Sequence, residues 1–581
     1  MNTHKRTGFS LLAIAILALF FISPQIFQRS LIVANDWIFH MNRYYDTSMQ
    51  IQTGHFNYFQ SLFGFNQSGR VINAMYGADF AYFAGFVLAV VKNWYHFELI
   101  LNFLCFFIAG SSMYILTRSA KLNNKIAILC AVLYMGSPLI VWWTTTQGFS
   151  GMGAAFLPLA FVPALRMIQN REYPIQPIVF GSIFALLLSI HMFTTLLACI
   201  AISPFYIIGF IRSDQKMQMF RQTILAVFIA VCLSLNTFAA ILDLHTDTLI
   251  MPLNAAGLYN GGTFLSLGAM DYNNFGLIFS LIFIFQLVIT VAYWKNMSTL
   301  IKITNVTGLI FFVISSKYFP WNHLTEQLPA LLSIQFLRRF SGITCVLLIL
   351  GFGYSMNHLR HYLNKDESKK SLMIGLAVLG LISTTSGWQL IDKQAQRWNS
   401  DTPLSGDTNA AQPIESDPIK IRTGLTSSDL SQAFTITQKP TPDYLPTKTN
   451  LINGYSTYSN EVLHNDLAIT KTVTNDAKLK ITWDSNQTEE KNILLPVIVY
   501  NNSTLNLNGK ELTADDYQLS DIGALKLRNN HEKNTLVIGY QPSIFFTISL
   551  YIKGLAFIAL VLYSIWKLTQ SRILHKTKDK E

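Results

Sequence analysis

Uninterrupted apolar stretches as wide as a bilayer recur from residue 9 to residue 566 and exclude most soluble folds. A helix of about 20 residues crosses a hydrocarbon core of about 30 Å, and only helices or closed barrels satisfy their backbone there. The stretches are too long and too evenly apolar for barrel strands. They predict a polytopic α-helical membrane protein of about 12 transmembrane helices, near 9–27, 97–117, 124–143, 149–168, 175–191, 193–211, 222–242, 274–294, 303–317, 338–357, 371–389 and 543–566. The fifth and sixth meet at His191. Asp79–Lys92 is also apolar, but counting it would invert every later loop, so it reads as an interfacial helix.

With that count, the basic residues fall on one side. Lys5 and Arg6 precede the first span. Arg118, Lys121, Lys125, Arg166, Arg171, Arg212, Lys216, Arg221, Lys295, Lys302, Arg360, Lys365, Lys369 and Lys370 occupy alternate loops, and Lys567 to Lys580 form the tail. The positive-inside bias makes both termini of this multi-pass cell-membrane protein cytoplasmic. The net charge of +11 is then explained by loops beside anionic lipid, with no nucleic acid as partner. The first span follows a basic start without a small-residue cleavage site and reads as a retained signal-anchor. All five cysteines lie within spans, so no disulfide framework or zinc spacing is present.

Three regions follow. Residues 1–389 form a multi-span body with a first outer loop of interfacial helices at 28–96. Residues 390–541 form an extracytoplasmic β-rich domain, opening with a Ser/Asp/Thr/Pro linker around 399–419. There Leu479, Ile481 and Trp483, Leu505 and Leu507, and Leu525 and Leu527 alternate with polar residues, and Asn508-Gly509 signals a tight turn. Residues 542–581 supply the last helix and a basic tail.

Candidate chemistry lies on the outer side. After the first span runs Asn35-Asp36-Trp37-Ile38-Phe39-His40-Met41-Asn42-Arg43. On a helix Asp36, His40 and Arg43 share one face. Asp36 suits a general base for an acceptor hydroxyl, or a ligand for a cation on a phosphate; the plain alternative is an N-cap. His40 and Arg43 suit phosphate binding or orientation of Asp36; the alternative is a solvated interfacial face. Gln335-Phe336-Leu337-Arg338-Arg339-Phe340 sets two cations against the positive-inside trend, fitting a phosphate or snorkelling to lipid heads. His191 reads equally as a ligand or as helix packing. Trp142, Trp143 and Trp321 read as interface-belt aromatics. Asp79 and Asp271 are weaker candidates.

These residues resemble the C-type (GT-C) lipid-dependent glycosyltransferases, most closely the bacterial YfhO-type membrane proteins. The pattern is Asp36, Phe39-His40, Arg43, Gly54 and Tyr76-Gly77, with 335–340 similar to the family's Gln-Phe-Pro-Trp-Arg element. Leu337 and Arg338 replace its Pro and Trp, so the family arginine carries over to Arg339 only. The resemblance implies a GT-C-like fold and an inverting glycosyltransferase. Its donor would be a sugar on undecaprenyl phosphate or a similar polyprenyl phosphate, and its acceptor a cell-surface polymer such as teichoic acid or polysaccharide, on the outer face. It implies Asp36 as base and His40, Arg43, Asp79, His191, Gln335 and Arg339 as substrate-binding residues. No ligand set decides between no cofactor and Mg²⁺ or Mn²⁺. The alternatives are a flippase or transporter of lipid-linked saccharide and a non-catalytic envelope-assembly subunit.

Overall fold

A computed structural model describes residues 3–252, 257–404, 411–447, 454–484, 492–528 and 532–578. All twelve apolar stretches are helical. Eight helices among the described residues are long and apolar enough to cross a membrane: Lys5–Gln28, Trp94–Ser119, Phe149–Gln169, Met192–Arg212, Lys216–Asp243, Leu337–Tyr362, Asp366–Trp398 and Ile544–Gln570. A ninth stretch is a pair, Asn124–Met135 and Pro138–Thr146, bent by 42°. Pro138 has no N–H to continue the first helix but fits the first turn of the second. Pro177–Ile190, Gly276–Ala292 and Thr299–Ser315 have 14 to 17 residues. At 1.5 Å per residue they reach roughly 21–26 Å, short of a full hydrocarbon core.

The chain is thus a multi-pass membrane protein with a β-rich region before its last helix. Within the bundle, Asn305 Nδ2 donates to Thr290 Oγ1 (2.9 Å) and Gln286 Nε2 to Ser355 Oγ (3.2 Å). These uncharged bonds tie three helices together, as polar side chains commonly do in lipid.

The segment after the first apolar helix folds as helix Trp37–Thr53 against helix Ala78–Val91. Thr47 Oγ1 donates to Ala81 O at 2.7 Å, and any Cβ on Gly85 would strike that hydroxyl. The β region is a two-sheet, all-antiparallel sandwich. One sheet orders 469–473, 479–484, 533–540, 503–507 and 510–511; the other orders 492–498, 524–528 and 518–519. Alternation places Leu479, Ile481, Trp483, Leu505, Leu525 and Leu527 in the core, as expected from sequence. Asn508 (φ 53°) and Gly509 (φ 86°) make the expected hairpin turn.

The sandwich does not stand alone. Leu62 of the first outer loop is fully buried in its core. Lys471 Nζ donates to Asn66 O (2.7 Å) and Pro496 O (2.9 Å), and Ile498 N donates to Ser68 O (2.8 Å). Part of the expected linker, residues 405–410, lies outside the described residues. Farther on, Gln412 and Pro413 pair antiparallel with Gln438 and Thr437, and the next residue is Lys439.

Asp79 departs from its expected role in substrate binding. Its carboxylate is paired with Lys553 of the last helix and accepts from Asn236 Nδ2 at 3.2 Å. Lys553 lies nine residues inside helix Ile544–Lys578, about 14 Å along its axis. A cation at such depth needs an anion, and Asp79 is taken up in supplying it. The two side chains are 25% and 28% exposed, so breaking the pair from one side costs less than the roughly 3–5 kcal/mol of a fully buried pair, whereas replacing both partners is nearly neutral. Asp79→Asn or Lys553→Met alone should therefore lower the melting temperature in detergent, and the double variant should recover most of the loss. Equal and additive losses would show that the pair does not hold the last helix.

Candidate functional site

Asp36 is held by its own backbone. Glu98, at the start of helix Trp94–Ser119, accepts from Ile32 N (3.0 Å), Trp37 Nε1 (2.9 Å) and Gln25 Nε2 (2.6 Å). Gln147, left-handed at φ 55°, accepts from Ala34 N (3.2 Å) and donates to Ile32 O (2.9 Å). Asp36 N donates to Thr146 O at 3.2 Å. Residues 30–37 are thereby fixed to two helices before the outer helix begins.

Asp36 occupies the N-cap position of helix Trp37–Thr53, yet its side chain makes no capping bond. Its Oδ1 instead accepts from Lys439 Nζ at 2.9 Å, and the same ammonium donates to Asn35 O at 2.6 Å. The lysine side chain is 13% exposed and the aspartate 43%. Among the described residues no donor reaches Oδ2. That oxygen is left to a ligand.

Arg43 stands behind the site, correcting its expected role in substrate binding. Its guanidinium donates to Asn73 Oδ1 (3.0 Å), Gly77 O (3.2 Å) and His40 Nδ1 (3.2 Å), and covers the Tyr76 ring at 4.5 Å. It is fully buried and does not line the cavity described next. Arginine only donates, so His40 Nδ1 is the acceptor and the neutral ring carries its proton on Nε2. His191 has the same state for another reason. Its Nδ1 accepts from Thr194 N (3.3 Å) and contacts Thr194 Oγ1 (2.7 Å) as it caps helix Met192–Arg212.

Burial, then Arg43 and Lys439, hold the His40 imidazole well below its ordinary range. Burial, then Arg339 and Arg43, push His191 down to about 3. Both rings are neutral near pH 7 and offer an Nε2–H donor, not a positive charge. Neither acts as a cation toward phosphate.

Arg338 and Arg339 supply the positive charge. Phe336 N donates to Ile334 O (2.7 Å) across Gln335, whose φ and ψ are 61° and −56°. This is the rare, strained form of the γ-turn, a kind of strain that clusters at functional sites. Gln335 Oε1 accepts from Arg339 Nη2, and Arg339 Nη1 donates to Ile334 O at 3.1 Å. Arg338 donates to Asn273 Oδ1 (2.9 Å) and lies over Trp142 (4.1 Å) and Phe336 (4.3 Å). Trp142, Trp143 and Trp321 are all buried and do not form an interface belt.

These groups line one cavity of about 740 Å³. Asp36, His40, His191, Gln335, Arg338, Arg339, Lys439 and Asp443 all face it, while Arg43 and Asp79 do not. Three cations against two carboxylates, with both imidazoles neutral, leave it cationic. The same cavity also has apolar lining: Leu188, Met192, Leu196 and Ile241 from the ends of three helices. Its size matches a small-molecule site, and its mixed lining suits an amphiphilic anion. Burial lifts the Asp443 carboxyl to about 6. No three His, Cys, Asp or Glu side chains group for a metal among the described residues, and Lys439 sits on the carboxylate a cation would need. The residues do not compose a protein-ligated divalent site.

Sequence reasoning missed Lys439, Asp443 and Glu98. Glu98 had a signal, since a carboxylate within an apolar stretch usually has a specific partner. Lys439 and Asp443 lay in a Pro-rich stretch about 400 residues from Asp36 and had none.

The folded pKa of His191, about 3, lies below the free value of 6.5. Its contribution to stability is full above pH 6.5 and is lost as pH falls toward 3, with a slope of at most about 1.4 kcal/mol per pH unit. Asp443 acts with the opposite sign between 3.8 and about 6, so the informative measurement compares a variant with wild type. His191→Asn keeps an acceptor for Thr194 N and removes the titration. Its melting temperature should fall less than that of wild type between pH 6.5 and 4.5; parallel curves would contradict the assignment.

No protein-family model matches the chain, and no curated protein matches it. Similar solved structures include the oligosaccharyltransferase of Archaeoglobus fulgidus tethered with an acceptor peptide, at 12% identity and a TM-score of 0.40, covering 67% of this chain and 55% of that one. The same archaeal enzyme in complex with zinc and sulfate gives 13% and 0.39, covering 66% and 53%. The arabinofuranosyltransferase AftD from Mycobacteria gives 11% and 0.40, covering 69% and 28%. The chain thus spans about half the length of the archaeal enzyme and just over a quarter of the mycobacterial one.

Proposed function

We propose that the protein is an inverting membrane glycosyltransferase. It moves a sugar from a polyprenyl-phosphate carrier, such as undecaprenyl phosphate, to a cell-surface acceptor on the outer face of the membrane. The observation that carries this reading is the cavity's division of labour. A carboxylate with one open oxygen, two neutral N–H donors and two arginines share one cavity with apolar helix ends.

In this reading the lipid tail lies along Leu188, Met192, Leu196 and Ile241. Its phosphate lies against Arg339, whose planar fork suits phosphate oxygens. Gln335 fixes that guanidinium, and Arg338 adds charge from its seat on Trp142. Asp36 Oδ2 takes the proton of the acceptor hydroxyl as its oxygen bonds to the anomeric carbon from the face opposite the phosphate. The glycosidic C–O bond to phosphate breaks, its electron pair leaves with the lipid phosphate, and the anomeric configuration inverts. Preorganised donors at the departing phosphate are the main source of acceleration, since they need no reorganisation. The His40 and His191 N–H groups serve there or on the sugar hydroxyls.

The polar side chains at mid-bundle, Gln286, Thr290, Asn305 and Ser355, are uncharged and bond one another. They favour helix packing over a transport path, so the enzyme reading is preferred to a flippase.

A general base of this kind is worth about 10²–10⁴ in rate. With a polyprenyl-phosphate sugar and the native wall polymer, Asp36→Asn should lose at least 100-fold in kcat while still folding, with a melting temperature lowered by the loss of the pair with Lys439. Arg339→Met should weaken donor binding as well. Full kcat in Asp36→Asn would remove Asp36 as the base, and no transfer by the wild-type protein would eliminate the enzymatic reading and leave the assembly-subunit one.

A further inference from the structure

A second cavity lies on the far side of Lys439, entirely among residues outside the membrane-spanning helices. It measures about 170 Å³ and shares Phe39, Lys439 and Thr441 with the large one. Its walls come from helix Trp37–Thr53, the Phe65-Asn66 turn, the strand ending at Gln438, and the segment around Tyr458. From these we infer that it is a binding subsite for an uncharged sugar unit, the acceptor end in the proposed reaction. The inference rests on that reading and extends it to the acceptor's chemistry.

Three features carry it. The lining has no carboxylate, and its one charge, Lys439, is already neutralised on Asp36 at 2.9 Å. A polyanion such as a phosphate-linked polymer would find no open cation there. The amides of Asn66 and Gln438 line the space with no partner among the described residues, and Thr441 lines both cavities. Phe39, Phe65, Phe434 and Tyr458 supply ring surface beside these groups. Neutral amides and hydroxyls next to aromatic surface match the alternating C–H and O–H faces of a sugar ring.

The cavity is also built under strain. Phe65, Asn66 and Gln67 are all left-handed, at φ 51°, 57° and 49°. They are held there by Asn42 Oδ1 on Phe65 N (2.6 Å) and by Lys471 on Asn66 O (2.7 Å). Three such non-glycine residues in succession persist only where surroundings over-determine them.

The test uses the full-length protein in nanodiscs and saturation-transfer difference NMR. The probes are methyl α- and β-glucoside, methyl galactoside, N-acetylglucosamine, N-acetylgalactosamine and glycerol 3-phosphate. At least one neutral sugar should show saturation that weakens at least 3-fold in Gln438→Ala and vanishes in Gln438→Trp, which fills the space; these expected changes are about 0.6 kcal/mol or more. Each variant is accepted only if its melting temperature matches wild type. No neutral-sugar signal sensitive to both Gln438 changes, or glycerol 3-phosphate bound there instead, overturns the subsite. Sugar binding in a protein that never transfers it overturns the proposed reaction alone, because the binding measurement contains no donor and no transfer step.

Discussion

The site depends on one ion pair. Lys439 reaches from the segment before the β-sandwich to Asp36 at the end of the first span's connection, and the two residues are about 400 positions apart. A pair on two flexible side chains would contribute little at an open surface. Here the lysine is mostly buried and donates to both Asn35 O and Asp36 Oδ1. Glu98 and Gln147 fix the backbone beneath the acid. The contact orients one carboxylate oxygen and leaves the other to a substrate. It also forms the wall between two cavities of different chemistry, one cationic and half apolar, the other neutral and aromatic.

Around that pair, burial decides which groups carry charge. His40 and His191 are kept neutral first by burial and then by nearby cations, Arg43 for both and Arg339 for His191. Arg43, which the sequence would set on a ligand, is bonded to His40, Asn73 and Gly77 and fixes the His40 tautomer. The cations left for an anionic ligand are Arg338 and Arg339. Their direction follows from a strained turn at Gln335 and from aromatic rings beneath them. The same logic accounts for Asp79, an acid taken up by a lysine deep in the last helix.

Much of the architecture was legible in the sequence because lipid imposes long apolar runs and β-sandwiches impose alternation. The Leu479, Ile481, Trp483 pattern and the Asn508-Gly509 turn follow from strand geometry alone. The grouping of Asp36 with His40, His191, Gln335 and Arg339 around one space came from residues that looked misplaced beside a membrane. Illegible were contacts between distant segments: Lys439 on Asp36, Lys553 on Asp79, and Leu62 inside the sandwich. Local pattern carries no information about which far residue will neutralise a buried charge. Helix length was the other gap. Apolarity located three further helices and gave two of them as short, at 175–191 and 303–317, but ran the third to 274–294 where the helix is Gly276–Ala292.

The central claim is that a lipid phosphate sits in the large cavity with its sugar presented to Asp36. Cryo-electron microscopy of the protein with a non-hydrolysable polyprenyl-phosphonate sugar tests it directly. Phosphonate density against Arg339, with the prenyl chain along Met192 and Leu196 and the anomeric carbon facing Asp36 Oδ2, is the expected result. Lipid density at the opposite membrane face, or a phosphonate remote from both Arg339 and Asp36, would contradict the account.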